Sequence, residues 1–520
     1  MGFKQRLRIA WERLEGAFTR SFGPAWNPFF QLGALGWFFY WIVAVTGIYL
    51  FIFFDTGVTN AYQSLEEITR AQWWAGGVMR SLHRYASDAL VVVMTLHMIR
   101  EYLLDRLRGP RWLAWVTGVP MIWFVFIAGV TGYWLVWDML AQYVAIVTTE
   151  WFDALSIFGE PIARNFLSPT HLSDRFFTLM VFAHIVVPLF LLLVMWIHIL
   201  RMSDARINPP KGLAIGTGAT LLVLSLVFPA VSQAPADLAV VPATVQLDWY
   251  YLNLYPLFDY VPRPVMWVLT VGFSTFLLLL PWLPPRRRAP AALVDLGNCN
   301  GCARCAADCP FNAITMRPRS DGLPYEQEAA VDSGMCVACG ICAGACPTAT
   351  PFRRRALLVA GIDLPQLTVR ELRARTLAAT SALRGPVRVL VYGCAHGTRL
   401  AALQQPGVAT VELSCIAALP PSFIDFVLSG DHADGVFLTG CREGDCHHRQ
   451  GIEWTRQRLA GERDPFLRAR VPRERLHCCW SGLAQTAVAV RELSAFRERL
   501  AALAPAEGGT PAAREEAGHA

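Results

Sequence analysis

A chain of 520 residues has room for about three domains. Hydrophobic residues make up 54% and charged residues 17%, and the mean hydropathy is positive, which excludes a disordered or wholly water-exposed chain. The net charge of +6 is no nucleic-acid signature, because the basic residues cluster beside apolar segments; no nucleic-acid partner is expected.

All fourteen cysteines lie beyond Asn298, in tight groups, a distribution that suits metal clusters in a reducing compartment and not a disulfide framework. The N-terminal arm, residues 1–30, is basic and amphipathic from Met1 to Arg20 and reads as lying on a membrane surface, with no secretory signal. Six apolar segments follow, at about 31–54, 78–103, 113–136, 176–201, 212–231 and 265–283, each near the ~20 residues a spanning helix needs. Lys4, Arg6, Arg8, Arg13 and Arg20, then Arg106, Arg108 and Arg111, then Arg206 and Lys211, then Arg286, Arg287 and Arg288 fall on one side. The opposite loops hold little beyond Arg70, Arg164 and Arg263, so both ends of the bundle are expected in the cytoplasm of a multi-pass inner-membrane protein.

The second segment carries His83 and His97; the fourth carries His184 and His198. At 3.6 residues per turn, a fourteen-residue interval returns to nearly the same helix face about 21 Å further on. Two such helices side by side offer two facing histidine pairs at different depths, and a bis-histidine pair between helices is the axial ligation of a b-type haem. Gly33 and Gly47 on the first segment, and Gly118 and Gly132 on the third, repeat the same interval. A flat macrocycle between helices needs the neighbouring backbones to come close, and glycine removes the obstructing side chain.

Arg80-Ser-Leu-His83-Arg, Gly118, Thr131-Gly132-Tyr133, Trp137-Asp138 and His184-x-x-x-Pro188 resemble cytochrome b of the quinol-oxidising bc complexes, especially the chloroplast and cyanobacterial form. The resemblance covers about residues 25–210 and extends weakly to 283. It implies a dihaem four-helix bundle over 31–210, with His83 paired to His184 on the outer side and His97 to His198 on the cytoplasmic side. It also implies that Arg80 faces a haem propionate, and it allows a homodimer, as in cytochrome b complexes.

Between the third and fourth segments, Trp151, Phe152, Leu155, Ile157 and Phe158 suggest a short interfacial helix, with His171 in the loop beyond it. Residues 211–285 are read as two further helices joined by a loop holding Leu247-Asp248-Trp249-Tyr250-Tyr251. That run is similar to the Pro-Glu-Trp-Tyr element of the quinol oxidation site in the same family, which makes Asp248 and Tyr250 quinone-site candidates. A carboxylate there can accept a quinol proton. The chain departs from the family at Leu247, at the shorter Asp248, and at Val136 of Trp134-Leu-Val-Trp137, where proline is common. The alternative role for Asp248 is a helix cap.

Residues 286–350 contain Cys299-x-x-Cys302-x-x-Cys305-x-x-x-Cys309-Pro310 and, again, Cys336-x-x-Cys339-x-x-Cys342-x-x-x-Cys346-Pro347. Three closely spaced thiolates reach one cubane while the fourth turns to the other. One 4Fe–4S cluster is therefore expected on Cys299, Cys302, Cys305 and Cys346, a second on Cys336, Cys339, Cys342 and Cys309, the pattern of bacterial two-cluster ferredoxins. Zinc does not ask for this doubled spacing.

After a basic linker, 351–385, with one helix over Val369 to Ser381, residues 386–502 read as a parallel α/β unit. Strands are expected at Val387–Tyr392, Val408–Leu413, Gly435–Thr439 and ending near Leu476-His477-Cys478, with amphipathic helices at Phe423–Leu428 and Gly451–Leu459. Each strand runs into a cysteine, and ligand sites in open parallel sheets collect beyond the strands' carboxyl ends. The run Thr439-Gly-Cys441-Arg-Glu-Gly-Asp-Cys446-His447-His448, with Val391-Tyr-Gly-Cys394 and Ser414-Cys415, resembles the delta subunit of methyl-viologen-reducing hydrogenase. The resemblance implies a 2Fe–2S cluster on Cys394, Cys415, Cys441 and Cys446, with Cys478 or Cys479 as the alternative ligand, and docking to a flavoprotein. The chain departs from that family at Gly397, where a second cysteine is usual. His447 and His448 read as surface residues, and the tail 503–520 as disordered.

The fold class expected is thus multidomain: an all-α membrane bundle, an α+β two-cluster ferredoxin domain and an α/β parallel-sheet iron–sulfur domain. No Gly-x-Gly-x-x-Gly opens a nucleotide-binding unit. The expected function is a membrane-bound quinone oxidoreductase subunit. It carries electrons between a cytoplasmic flavoprotein, of heterodisulfide-reductase or dehydrogenase type, and membrane quinone. The alternatives are quinol-driven reduction of low-potential carriers and a bc-complex cytochrome b with a redox-sensing or docking tail.

Overall fold

The computed structural model describes residues 2–157, 161–162, 167, 172–200, 205–242, 244–284, 289–354 and 358–503. Phe158, Arg164, His171, Arg286, Arg287, Arg288 and the tail beyond 503 lie outside the described residues. The chain divides into two compact units, Met1–Arg288 and Ala289–Ala520.

The first unit is helical: α1 (Phe3–Phe22), α2 (Leu32–Phe53), α3 (Val78–Leu103), α4 (Trp112–Val136), α5 (Met139–Asp153), α6 (Asp174–Ile199), α7 (Lys211–Val227) and α8 (Arg263–Leu279). Among the described residues, four helices are long and apolar enough to cross a membrane: Pro28–Phe53, Gly109–Val136, Asp174–Ile199 and Arg263–Trp282. Lys211–Val227 is apolar but shorter. Helix α3 has the length, at 26 residues, but its apolar run is broken by Arg80, Arg84, Asp88, Arg100 and Glu101. These charges are tied to protein groups: Arg100 pairs with Glu15 of α1 at 2.7 Å, and Lys4 of α1 with Asp105 at 3.0 Å. The basic arm is therefore docked on the end of α3 by ion pairs.

Helix α2 packs along α3, and α4 along α6. The helix expected between α4 and α6 begins earlier than the aromatic cluster suggested. Asp138 caps α5 by accepting from the Ala141 N–H at 2.9 Å, while Leu155 and Ile157 lie past its end. The long loop after α7 is pinned to this junction, because Gln233 N–H donates to Asp138 Oδ2 at 2.8 Å and Met139 N–H to the Ala234 carbonyl at 2.8 Å.

The second unit combines small antiparallel pairs with a parallel sheet. Strands β1 (Leu293–Val294) and β4 (Ile362–Asp363) pair antiparallel, as do β2 (Ile314–Pro318) and β3 (Gln327–Val331), in register Ile314↔Val331 to Pro318↔Gln327. Strands β5 (Val389–Cys394), β6 (Val408–Leu413), β7 (Gly435–Gly440) and β8 (Leu476–Trp480) form one parallel sheet in the order β6-β5-β7-β8. Every residue of β5 and β7 is buried, as expected of central parallel strands covered on both faces. Phe423, Ile424 and Val427 of the helix Ser422–Ser429 cover one face; Leu493, Phe496 and Leu500 of Thr486–Leu503 cover the other.

The stretch between the cysteine repeats and the sheet is packed, not extended. Leu358, Ala360, Ile362, Leu364, Leu367 and Leu372 are all buried in the same core as the sheet, and the helix within it spans Val369–Ser381. Arg458, 1% exposed, pairs with Asp308, 3% exposed, at 2.5 Å, and donates to the Ala417 carbonyl at 2.9 Å. Removing one partner of a buried pair leaves an uncompensated charge, so Asp308→Ala is expected to destabilise this unit by about 3–5 kcal/mol. Denaturant unfolding of the metal-loaded protein measures it.

Candidate redox sites

In the first unit the four histidines face one another in pairs. The His83 and His184 ring centroids are 6.2 Å apart with an interplanar angle of 57°. Two metal–imidazole bonds of about 2 Å each, plus half a ring at either end, fill such a gap. His97 and His198 likewise lie within electrostatic reach of each other.

Three of the rings, those of His83, His184 and His198, are set by polar neighbours at Nδ1. His83 Nδ1 is 3.0 Å from the Val43 carbonyl and 3.2 Å from Thr46 Oγ1, whose own hydroxyl donates to the Ile42 carbonyl at 2.7 Å. Nδ1 must therefore donate, which leaves the Nε2 lone pair for a metal. His184 Nδ1 lies 2.9 Å from the Ala128 carbonyl and 3.3 Å from Thr131 Oγ1, and His198 Nδ1 lies 3.1 Å from Thr117 Oγ1.

The four glycines meet these rings one to one. A Cβ on Gly33 would stand 3.7 Å from His97 Cε1, on Gly47 3.0 Å from His83, on Gly118 3.5 Å from His198 and on Gly132 2.8 Å from His184. The glycines thus admit the imidazoles themselves. Of the threonines only Thr131 figured in the sequence reading, although a Thr-Gly pair stands at 46–47, 117–118 and 131–132.

Arg80 is buried and donates to Thr69 Oγ1 at 2.6 Å and Ser232 Oγ at 2.9 Å, with Glu66 at 3.6 Å. Its partners here are protein groups. Of the two loop candidates, Asp248 is buried and Tyr250 is exposed. Asp248 Oδ1 accepts from the Tyr250 N–H at 2.7 Å, a local turn; Oδ2 meets the Tyr133 hydroxyl and the Arg84 guanidinium. Asp248 therefore both shapes the loop and takes part in a buried polar cluster, whose other members sequence reading had passed over.

In the second unit the cysteines fall into the two sets expected. One cavity is lined by Cys299, Cys302, Cys305 and Cys346, another by Cys309, Cys336, Cys339 and Cys342. Burial, and then the neighbouring thiols, push Cys305 up to about 12; burial, ahead of Cys309 and Cys336, does the same to Cys339. Such thiols ionise only with a cation among them, as iron would supply.

At the sheet, Cys394 ends β5 and Cys441 follows β7, with sulfurs 3.8 Å apart at the switch point between neighbouring strands. Cys415 and Cys446 complete the group, each within reach of a further sulfur. A Cβ on Gly451 would collide with Cys415 Sγ and come within 3.3 Å of Cys446 Sγ, so glycine keeps the cradle open. A Cβ on Gly397 would run into the Gly440 carbonyl; the position where the family's cysteine is absent has no room to point a side chain that way. Cys479 sits on the other face of the sheet, among Val389, Val391 and Phe437, while Cys478 has Arg456 as its charged neighbour. Neither joins the other four.

The surface reading of His447 and His448 is corrected: His448 is 6% exposed and His447 half-buried. Their loop folds inward over Cys441, whose sulfur accepts from the His447 N–H at 3.5 Å. With His396 they form a histidine cluster. However, the His396 and His447 rings are parallel at 3.6 Å, and an ion between stacked rings would lie outside both ring planes, so no metal is assigned there.

Comparison with known proteins agrees with this geometry. The cytochrome b/b6/petB family model matches residues 20–205, the 4Fe–4S dicluster domain residues 298–350 and the methyl-viologen-reducing hydrogenase delta subunit residues 390–504. The chain thus joins an N-terminal cytochrome b region to a 4Fe–4S dicluster region and a region like the delta subunit of methyl-viologen-reducing hydrogenase. It is similar to cytochrome b of Rhodospirillum rubrum, with 27% identity over 49% of this chain and 70% of that protein. Among solved structures it is similar to a chain of the hyperthermophilic respiratory complex III, with 22% identity over 49% of this chain and 75% of that one, at a TM-score of 0.39. The fusion is a membrane electron-transfer protein: its cytochrome b region implies haem b, its dicluster region iron–sulfur clusters.

Gly132→Val is expected to push the His184 ring away. The reduced spectrum of the purified protein should then lose one b-type component and keep the other.

Proposed function

We propose that this cytochrome b fusion is a subunit that carries electrons between membrane quinone and a cytoplasmic flavoprotein of heterodisulfide-reductase or dehydrogenase type. Two b haems, two 4Fe–4S clusters and one 2Fe–2S cluster, when bound, supply one-electron carriers. His83 and His184, and His97 and His198, hold the haem irons; the two sets of four ferredoxin cysteines hold the cubanes; Cys394, Cys415, Cys441 and Cys446 hold the third cluster. The basic arm and basic loops support a cytoplasmic position for both termini and the iron–sulfur unit.

The observation that carries the reading is the continuity of the cysteine sets within the second unit. Cys339 and Cys415 share one small core with Phe311, Ile341 and Ala417, and Cys342 lies within electrostatic reach of Cys305. The set at the sheet is therefore within electrostatic reach of one ferredoxin set, through Cys415 and Cys339, and that set of the next, through Cys342 and Cys305. Cys302, in the last set, is exposed, which gives the series an open end.

In membranes bearing the protein, dithionite is expected to produce b-type absorbance that a short-chain quinone reoxidises. His97→Ala should remove one haem component and slow that reoxidation. An unchanged spectrum in the variant contradicts the assignment.

A further inference from the structure

A buried cation stands between two of the cysteine sets. Arg458, on the helix Gly451–Ala460, donates from Nη1 to the Ala417 carbonyl at 2.9 Å and from Nη2 to the Ile341 carbonyl at 3.4 Å. Ala417 follows Cys415 by two residues, and Ile341 lies between Cys339 and Cys342. One guanidinium therefore holds the backbone beside a sheet ligand and the backbone between two ferredoxin ligands. The approach is close: a Cβ on Gly344 would run into the Ala417 carbonyl and stand 2.9 Å from Arg458 Nη1.

Two further charges complete the group. Asp308, the residue before Cys309, accepts from Arg458 Nη2 at 2.5 Å through Oδ2, and its Oδ1 contacts Arg463 Nη1. Arg458 and Asp308 are buried, and the Arg463 side chain is 26% exposed. Arg463 is fixed in turn: its Nε donates to Gln457 Oε1 at 2.8 Å, and its guanidinium lies 3.5 Å from the centroid of the Trp454 ring. Trp454 Nε1 donates to the Asp308 carbonyl at 3.2 Å. Two guanidiniums against one carboxylate leave the triad with a positive charge in excess.

Reduction adds an electron, and so a negative charge, to a thiolate-held iron–sulfur centre. A fixed positive charge in a dry site beside it favours the reduced form. Resting on the cluster assignment of the preceding subsection, we propose that Asp308, Arg458 and Arg463 form a shared electrostatic bias that raises two reduction potentials together. One is that of the 4Fe–4S cluster on Cys309, Cys336, Cys339 and Cys342; the other is that of the 2Fe–2S cluster on Cys394, Cys415, Cys441 and Cys446. The three residues act through charge and ligate no iron, so they are positioning residues.

The test uses the full chain with its iron–sulfur centres loaded, poised at a series of potentials and read by electron paramagnetic resonance. The 2Fe–2S signal is taken at temperatures where the 4Fe–4S signals have broadened away. At the wild-type midpoints Arg463→Gln is expected to lower the reduced-to-oxidised ratio of both clusters about three- to tenfold, a range discounted for the solvent that Arg463 meets. Arg463→Lys should restore it. Asp308→Asn should raise the ratio about tenfold in both clusters, because it removes the negative member of a drier pair. A merely loosened junction would move R463Q and D308N the same way, whereas charge moves them in opposite directions. R463Q and R463K keep the buried Arg458–Asp308 pair, so they decide the matter where D308N does not take up iron. Ratios unmoved in R463Q, or moved in the same direction by both variants, overturn the bias and leave the cluster assignment standing. A wild-type protein with no 2Fe–2S signal overturns the assignment, and the bias with it.

Discussion

An imidazole that is to share an iron with a second imidazole inside an apolar bundle has two demands on its surroundings. Its Nδ1 must be tied to an acceptor so that Nε2 is left free, and the neighbouring backbone must stand close enough to fix the ring. Val43, Ala128 and the threonines at 46, 117 and 131 meet the first demand for His83, His184 and His198; the four glycines meet the second for all four rings. Both come from the helix packed against the one that carries the histidine: α2 serves α3, and α4 serves α6. The spacing of fourteen on all four helices follows, because each pair of facing rings needs its acceptors and its glycines at the same height.

The second unit answers a different constraint. Buried thiols are reluctant to ionise, so each of its ligand sets has to be built where a cation repays the burial. The ferredoxin loops do this by tight spacing. The parallel sheet does it by topology: β5 and β7 are neighbours, their carboxyl ends release Cys394 and Cys441 side by side, and the helix beginning at Gly451 leaves space for Cys415 and Cys446. Buried side chains, and the Asp308–Arg458 pair among them, weld the ferredoxin loops to the sheet.

The periodic features were legible in the chain itself. Histidine and glycine intervals, doubled cysteine repeats and the four strand positions each follow from one local rule. What escaped depends on groups far apart in sequence. Arg84 and Asp88 look like isolated charges on α3 until Tyr133 and Asp248 arrive from α4 and from a loop more than a hundred residues on. Gly397 looks like a missing cysteine until the Gly440 carbonyl fills the space above it. His447 and His448 look like surface groups because they are polar and follow a turn, yet the loop folds back over Cys441. The stretch 351–385 reads as a basic connector because its arginines outnumber its acidic residues, Asp363 and Glu371, whereas Leu358, Ala360, Ile362 and Leu364 bury themselves at alternate positions.

The histidine pairing is the claim on which the rest depends, and low-temperature electron paramagnetic resonance of the oxidised, purified protein addresses it directly. Two distinct low-spin ferric signals of bis-imidazole type are expected, one from each depth of the bundle. A high-spin signal, a single species, or a protein that purifies without haem would contradict the account.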